Sequence, residues 1–206
     1  MVRRTSALSP FSTIPTLLRS GLLITLIRIT RPDAPSTKAE YHPYDTDLPH
    51  VFEDIATFLR GQLFGIRIEH VGSTSVPGLG GRNVLDIVVA APEADHEPLR
   101  ARLVALGFQP SPFRHFLPLL VASASTRGKS FPVLLYLIAP ESDIYRGWIA
   151  FRDHMRSHPE DAAEYDRIKR AAIAGDGVDQ AGYQHAKMPF LVAITNRIEK
   201  AGPTNE

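Results

Sequence analysis

With 206 residues, 44% of them hydrophobic, the chain is long enough to close one well-packed core and too short for two full domains. It contains no cysteine, which excludes disulfides, thiolate metal sites and a cysteine nucleophile. The net charge of +1 is unevenly placed: residues 1–32 carry Arg3, Arg4, Arg19, Arg28 and Arg31 and no acid, leaving 18 basic against 22 acidic side chains in residues 33–206. A domain of that balance exerts no global pull on nucleic acid, so any RNA contact must use a local basic patch.

Residues 1–32 read as an N-terminal extension, rich in Arg, Ser and Thr and free of acids, the composition of a mitochondrial presequence or of a disordered leader. The expected location is cytoplasmic, with mitochondrial import as the alternative. The apolar run from Gly21 to Ile27 is far below the roughly 18 residues of a spanning helix, so no membrane association is expected. Pro32, Pro35 and Pro43 mark an extended approach to a single domain over 33–206, whose regular structure starts near Tyr41. Leu48, Val51, Phe52, Ile55, Phe58 and Leu59 repeat at helical spacing, and Gly61 and Gly65 punctuate the helix end. Ile66–Val71 alternates as a half-buried strand does, whereas Val84–Ala90 is nearly all apolar and suits an interior strand. Leu99 to Leu106 with Gly107 describes a short helix, and Phe113–Val121 and Phe131–Ile138 are two further strands. Ser142–Arg156, Pro159–Ala174 and Gln180–Lys200 predict three closing helices, Pro159 fitting a first helical turn. This order predicts an α+β fold: a small mixed β-sheet with helices packed on it and a C-terminal helical segment.

The stretch from His70 to Val89 carries the chemistry. Gly72 at a strand end lets the backbone approach an anion, and the hydroxyls of Ser73, Thr74 and Ser75 can bond phosphate oxygens. Asp86 arrives on the neighbouring strand, where a carboxylate could hold Mg²⁺ against the same phosphates. Gly-Ser, a loop, then Asp on an apolar strand is the logic of nucleotidyltransferases. The plainer alternative is a tight Gly/Pro loop with Asp86 paired to Arg82, because a buried carboxylate needs a partner. Glu160, Asp161 and Glu164 form a second acidic group, either solvated acids of a first helical turn or a negative pocket for a guanidinium or ammonium group.

Residues 70–89 resemble the signature of the GrpB family, and the likeness continues through Trp148–Asp153, His158–Tyr165, Lys169, Tyr183, Lys187 and Phe190, spanning roughly residues 41–195. The resemblance implies a nucleotidyltransferase-like fold. It also exposes departures. Active nucleotidyltransferases place a second acid two residues after the first, where this chain has Val88, and many GrpB relatives carry a His-x-His pair where Leu134 and Tyr136 stand.

Some fungal proteins similar to the GrpB family are arginine-containing cyclodipeptide synthases, which join two amino acids from charged tRNAs without a metal. Resemblance to that branch implies aminoacyl-tRNA as partner, no required cofactor, and a role for an acidic motif to which Glu160-Asp161-Ala-Ala-Glu164 is the nearest match. The expected catalytic group is then Asp86, Glu160, Asp161 and Glu164. The expected substrate-binding group is Gly72, Ser73, Thr74, Ser75, Arg82, Arg152, Lys169 and Lys187. The alternatives are a nucleotide- or phosphate-binding transferase, in which Mg²⁺ would return as cofactor, and a non-catalytic GrpB-like module.

Overall fold

The computed structural model describes residues 16–20, 23–32, 39–112, 117–174 and 178–201. Strands β1 (Thr16–Ser20), β2 (Leu23–Thr30), β3 (Arg67–Val71), β4 (Leu85–Ala90), β5 (Gln109–Pro110), β6 (Leu119–Thr126) and β7 (Lys129–Ile138) form one mixed sheet. The order is β1-β2-β6-β7-β4-β3, with β5 attached to β6. The β4–β7 pair is parallel and the other pairs are antiparallel.

Helices α1 (Leu48–Gln62) and α2 (His96–Ala105) cover one face, and α3 (Asp143–Ser157), α4 (Pro159–Ile173) and α5 (Gln180–Ala201) gather toward the other. The α+β arrangement expected from the element order is therefore the observed one. Among the described residues no helix is long and apolar enough to cross a membrane.

The alternation of β4 places its residues on two distinct faces. Leu85, Ile87 and Val89 join Ile55, Leu59, Leu103 and Phe108 in the main core under α1 and α2. Val88 and Ala90 turn the other way, into a smaller cluster with Val71, Ile138 and Tyr145 of α3. Asp86 shares that second face, which is where α4 and α5 close over the end of the strand.

Two strand expectations change. The strand placed at Phe113–Val121 runs instead from Leu119 to Thr126, and residues 113–116 lie outside the described residues. Its second half, Ala122-Ser-Ala-Ser125, is poor in strand formers, and what holds it is pairing with β7 through a two-residue turn. Arg127 and Gly128 both take positive φ, 53° and 74°, as the tight turn matching the twist of two strands requires.

The second difference lies in the N-terminal extension, where no regular element is foreseen. Here β2 bonds to β6 through Arg28↔Ser125 to Thr30↔Ser123, and Ile27 is 2% exposed within the main core. Ile27→Ala is expected to cost about 3 kcal/mol, the cavity cost of a buried branched side chain, measured by urea unfolding. A loss below about 0.5 kcal/mol would mean that β2 adds nothing to the core.

Candidate functional site

The antiparallel register pairs Val71 with Asp86, so the chain leaving β3 at Gly72 turns directly over the Asp86 carboxylate. Gly72 has φ 71° and ψ −174°, and a Cβ there would stand 2.3 Å from Asp86 Oδ2. The expected convergence of Gly72, Ser73 and Asp86 is thus built by a backbone that only glycine can adopt. These three residues, with Arg82 and Val84 from the loop, Tyr165 from α4 and Tyr183 and Lys187 from α5, enclose a cleft of about 100 Å³. That volume admits one small polar group of a ligand rather than a whole nucleotide.

Charge inside the cleft is crowded and poorly solvated. Burial pushes the Asp86 carboxyl up from 3.8 to about 6, with Arg82 and Lys187 pulling against it through space. Burial likewise brings the Lys187 ammonium down to about 8, helped by Arg82 and opposed by Asp86. Lys187 rests 4.6 Å above the Tyr183 ring, a cation–π contact that holds it in place as a cation. An acid and a base whose environments draw them toward neutrality in one cleft are suited to moving protons.

Arg82 does not close an ion pair on Asp86. Its guanidinium donates to Gln180 Oε1 at 2.6 Å and lies 5.5 Å from the Tyr183 ring, so it reaches Asp86 only by its field. The Asp–Arg pair considered from the sequence is replaced by a loop-to-α5 tie.

Several expected site residues serve the scaffold instead. The Thr74 hydroxyl donates to Val84 O at 3.0 Å, which leaves it to accept from His70 Nε2 at 3.0 Å. His70 stacks on Phe52, and burial brings its pKa down to about 3, so it is a neutral strand-end group. Ser75 donates to Gly72 O at 2.6 Å, and its carbonyl accepts both nitrogens of a fork from Arg156. Arg152 bonds Glu69 at 2.8 Å and Asp153 at 2.7 Å, fastening α3 to β3 away from the cleft. Lys169 is 1% exposed behind the cleft wall, donating to Gly80 O beneath the Tyr165 ring.

The three acids of α4 do not form a negative pocket. A helix turns about 100° per residue, so Asp161 shares the buried side with Tyr165 and Lys169 while Glu160 and Glu164 face outward. Burial opposes ionisation of Asp161, but hydrogen bonds from His154 at 2.7 Å and Arg197 at 2.8 Å hold its carboxyl below the usual range. Glu164 is engaged with Arg167 at the surface, and Glu160 is exposed. Glu164→Ala is expected to leave the urea midpoint and any activity unchanged, whereas an acid that binds substrate would show a raised KM when removed.

Tyr165 and Tyr183 line the cleft without having been assigned a role from the sequence. The signal was present in the spacing: Tyr183 and Lys187 are four apart on one helix face, as are Asp161, Tyr165 and Lys169. A larger groove of about 650 Å³ lies outside the cleft, lined by Val76, Leu79, Met155 and Ala162, and by His70 and Arg156, whose bonds are already described.

Residues 38–197 match the family model described as GrpB protein. The chain belongs to the GrpB family. A UPF0157 protein of Pseudomonas aeruginosa is 32% identical over 174 residues, covering 80% of this chain and 69% of that relative. A UPF0157 protein of Streptomyces coelicolor is 31% identical over 136 residues, covering 64% and 68%. The crystal structure of GrpB from Enterococcus faecalis superposes with a TM-score of 0.64 over 79% of this chain and 98% of that one, at 23% identity, a likeness of fold.

Within this GrpB fold the metal question reduces to four neighbouring side chains. Parallel pairing sets Asp86 beside Leu134 and Val88 beside Tyr136, all on one face of the sheet. Three of the four carry no carboxylate or imidazole, and burial raises the Tyr136 hydroxyl far above its usual pKa, so it stays protonated. Mg²⁺ requires an octahedron of oxygens and is ordinarily held by more than one anionic group. The residues present supply one carboxylate and no second anionic ligand beside it, and among the described residues there is no group of three or more His, Cys, Asp or Glu side chains that could hold a metal ion.

Proposed function

We propose that this GrpB-family chain is a metal-independent acyl transferase that draws on aminoacyl-tRNA to make an arginine-containing cyclodipeptide. One observation carries the reading: a carboxyl group near pKa 6 and an ammonium group near pKa 8 share one cleft, beside a sheet position that lacks the donors of metal-dependent transfer. Amide formation from an activated ester needs no dication. It needs a deprotonated amine, an ester held still and a proton for the departing oxygen.

In this reading Asp86, as carboxylate, accepts a proton from the incoming α-ammonium group. The neutral amine attacks the ester carbonyl carbon, a C–N bond forms, and the C–O bond to the ribose breaks. Lys187 as ammonium donates to the departing ribose oxygen, and Arg82 and Lys187 face the anionic end of the tRNA. A second attack of the same kind closes the ring. The acids of α4 take no part, since Asp161 is engaged with His154 and Arg197 and the others face solvent. The choice of arginine rests on the resemblance to the fungal branch.

The test is incubation of the protein with the full set of charged tRNAs, followed by mass spectrometry for an arginine-containing diketopiperazine. The expected result is product formation unaffected by EDTA and lost in Asp86→Asn; no product from any charged tRNA would remove the reading. The cationic cleft with a serine hydroxyl also favours a second reading, a transferase acting on a phosphate-bearing ligand. Saturable ATP or CTP binding that disappears in Asp86→Ala would support it in place of the first.

A further inference from the structure

We infer that the open half of the sheet beside the cleft is the surface that receives the single-stranded acceptor end of the tRNA. The inference deepens the acyl-transfer reading and rests on it for the identity of the RNA. Burial alternates along β6: Leu120, Ala122 and Ala124 are buried on the face that α1 covers, while Val121, Ser123 and Ser125 are only half-buried on the other. In β7 Ser130 and Pro132 are exposed and Leu134 is half-buried on that same second face, and Arg28 and Thr30 of β2 continue it, both exposed. Helix α3 covers the second face over β3 and β4, but over β2, β6 and the first half of β7 it stands at the surface among the described residues.

Charge and hydrogen bonding both point to a phosphodiester strand. No Asp or Glu occurs in residues 23–31 or 117–138, although residues 33–206 hold 22 acids against 18 bases. Arg127 and Lys129 turn to the α1 side, onto Asp54 and Asp45, whereas Arg28 has no carboxylate in ion-pair contact among the described residues. Ser125 donates to Ser130 Oγ at 3.1 Å, and Ser123 and Ser130 share one bond at 2.8 Å. Three hydroxyl protons thus serve two bonds, and one proton is left for an acceptor outside the group. Register sets Arg28 opposite Ser125 and Ser125 opposite Ser130, so the guanidinium and the hydroxyls lie in one row, as contacts to a phosphate oxygen require.

The row is continuous with the cleft. Asp86 pairs with Leu134 and Leu134 with Val121, and Ser130 lies four residues before Leu134, toward the end of the sheet where Arg82 and Val84 enter the cleft. Arg28 is then about 20 Å from Asp86, given about 4.8 Å between strands and about 3.3 Å per residue along them. That span fits several nucleotides of a single strand, its terminal ribose ester at Asp86 and an upstream phosphate at Arg28. Pro132 and Leu134, between the two, give the intervening bases an apolar floor. A base-paired end is too wide to bring its last ribose to a cleft of about 100 Å³.

The experiment measures fluorescence anisotropy of a short labelled single-stranded RNA ending in CCA, titrated with the full chain at low and physiological salt. Arg28→Glu and Ser130→Glu, each with the urea midpoint of the wild type, are expected to bind about tenfold more weakly, and Arg28→Gln to reduce the salt slope by about 1. Ala101→Glu, exposed on α2 at the opposite face, adds the same charge and is expected to bind as the wild type does. No binding by the wild type, affinity unchanged in Arg28→Glu and Ser130→Glu, or an equal loss in Ala101→Glu would overturn the inference. A blunt duplex RNA bound as tightly as the single strand would overturn it as well. Cyclodipeptide still formed from charged tRNAs in any of these cases leaves the transferase reading intact. The expected binding pattern in a protein that forms no cyclodipeptide removes that reading and keeps the RNA surface.

Discussion

Asp86→Asn is expected to make the protein more stable above pH 6 and inactive. Burial holds the native carboxyl at about 6 against 3.8 for the free group, so between those values the folded state keeps a proton that the unfolded chain has released. Native stability therefore falls as pH rises through that window, and the cost is complete above about pH 6. The displacement corresponds to about 3 kcal/mol at most. Asparagine cannot ionise and avoids that cost, so the gain is full at pH 7 and absent below about pH 4. Urea unfolding of both proteins at pH 4 and pH 7.5 measures it. Equal stabilities at both values would mean that the carboxyl is solvated and untuned. In the active protein, kcat/KM should rise with an apparent pKa near 6, as the carboxylate becomes available to accept a proton.

The second large effect is expected from Gly72→Ala, which meets two obstacles at once. At φ 71° and ψ −174° the backbone lies in a region that side-chain-bearing residues avoid. The new methyl would also press on Asp86 Oδ2 at 2.3 Å, forcing the carboxyl to rotate away, and on Asp86 Cβ at 3.0 Å, which moves only if β4 shifts. A loss of about 3 kcal/mol or more is expected, together with closure of the cleft. Gly78→Ala is the control, because it shares the positive φ, 82°, but a Cβ there meets nothing within 4 Å. Its cost should stay near 1 kcal/mol. Equal losses at the two positions would show that strain alone operates and that Gly72 does not support Asp86.

What the sequence disclosed follows from how local each signal is. The apolar repeat of Leu48 to Leu59 and the nearly apolar run of Val84 to Ala90, interrupted only by Asp86, report burial directly, and both elements stand within one to three residues of where periodicity sets them. The strand β6 departs from its expected position because Ala and Ser carry almost no strand signal of their own, and its partner is joined by a turn without a strong Asn-Gly type pair. The strand β2 has no clear local signature because its apolar run sits among arginines, and only pairing with a distant segment reveals it.

The site divides in the same way. Gly72 and Ser73 follow the end of β3 and Asp86 lies on β4 within the same fifteen residues, so the antiparallel Val71–Asp86 pairing brings them together. Lys187 was named from the resemblance and reaches the cleft because α5 folds back over the sheet, a contact with no local signature. Residues assigned by type alone separated: Thr74 and Ser75 bond to the backbone, Arg152 ties α3 to β3, and the α4 acids point to two sides of one helix. Leu134 and Tyr136, singled out only as substitutions for histidine, lie in register beside Asp86 and Val88.

The proposed chemistry depends most on Asp86 standing as a single carboxyl of raised pKa beside Val88, Leu134 and Tyr136. Labelling aspartate with ¹³C and following the Asp86 carboxyl resonance against pH, with and without millimolar Mg²⁺, tests that claim most directly. A midpoint near 6 that Mg²⁺ leaves in place is the expected result. A midpoint below 4, or one that Mg²⁺ drives downward, would contradict it.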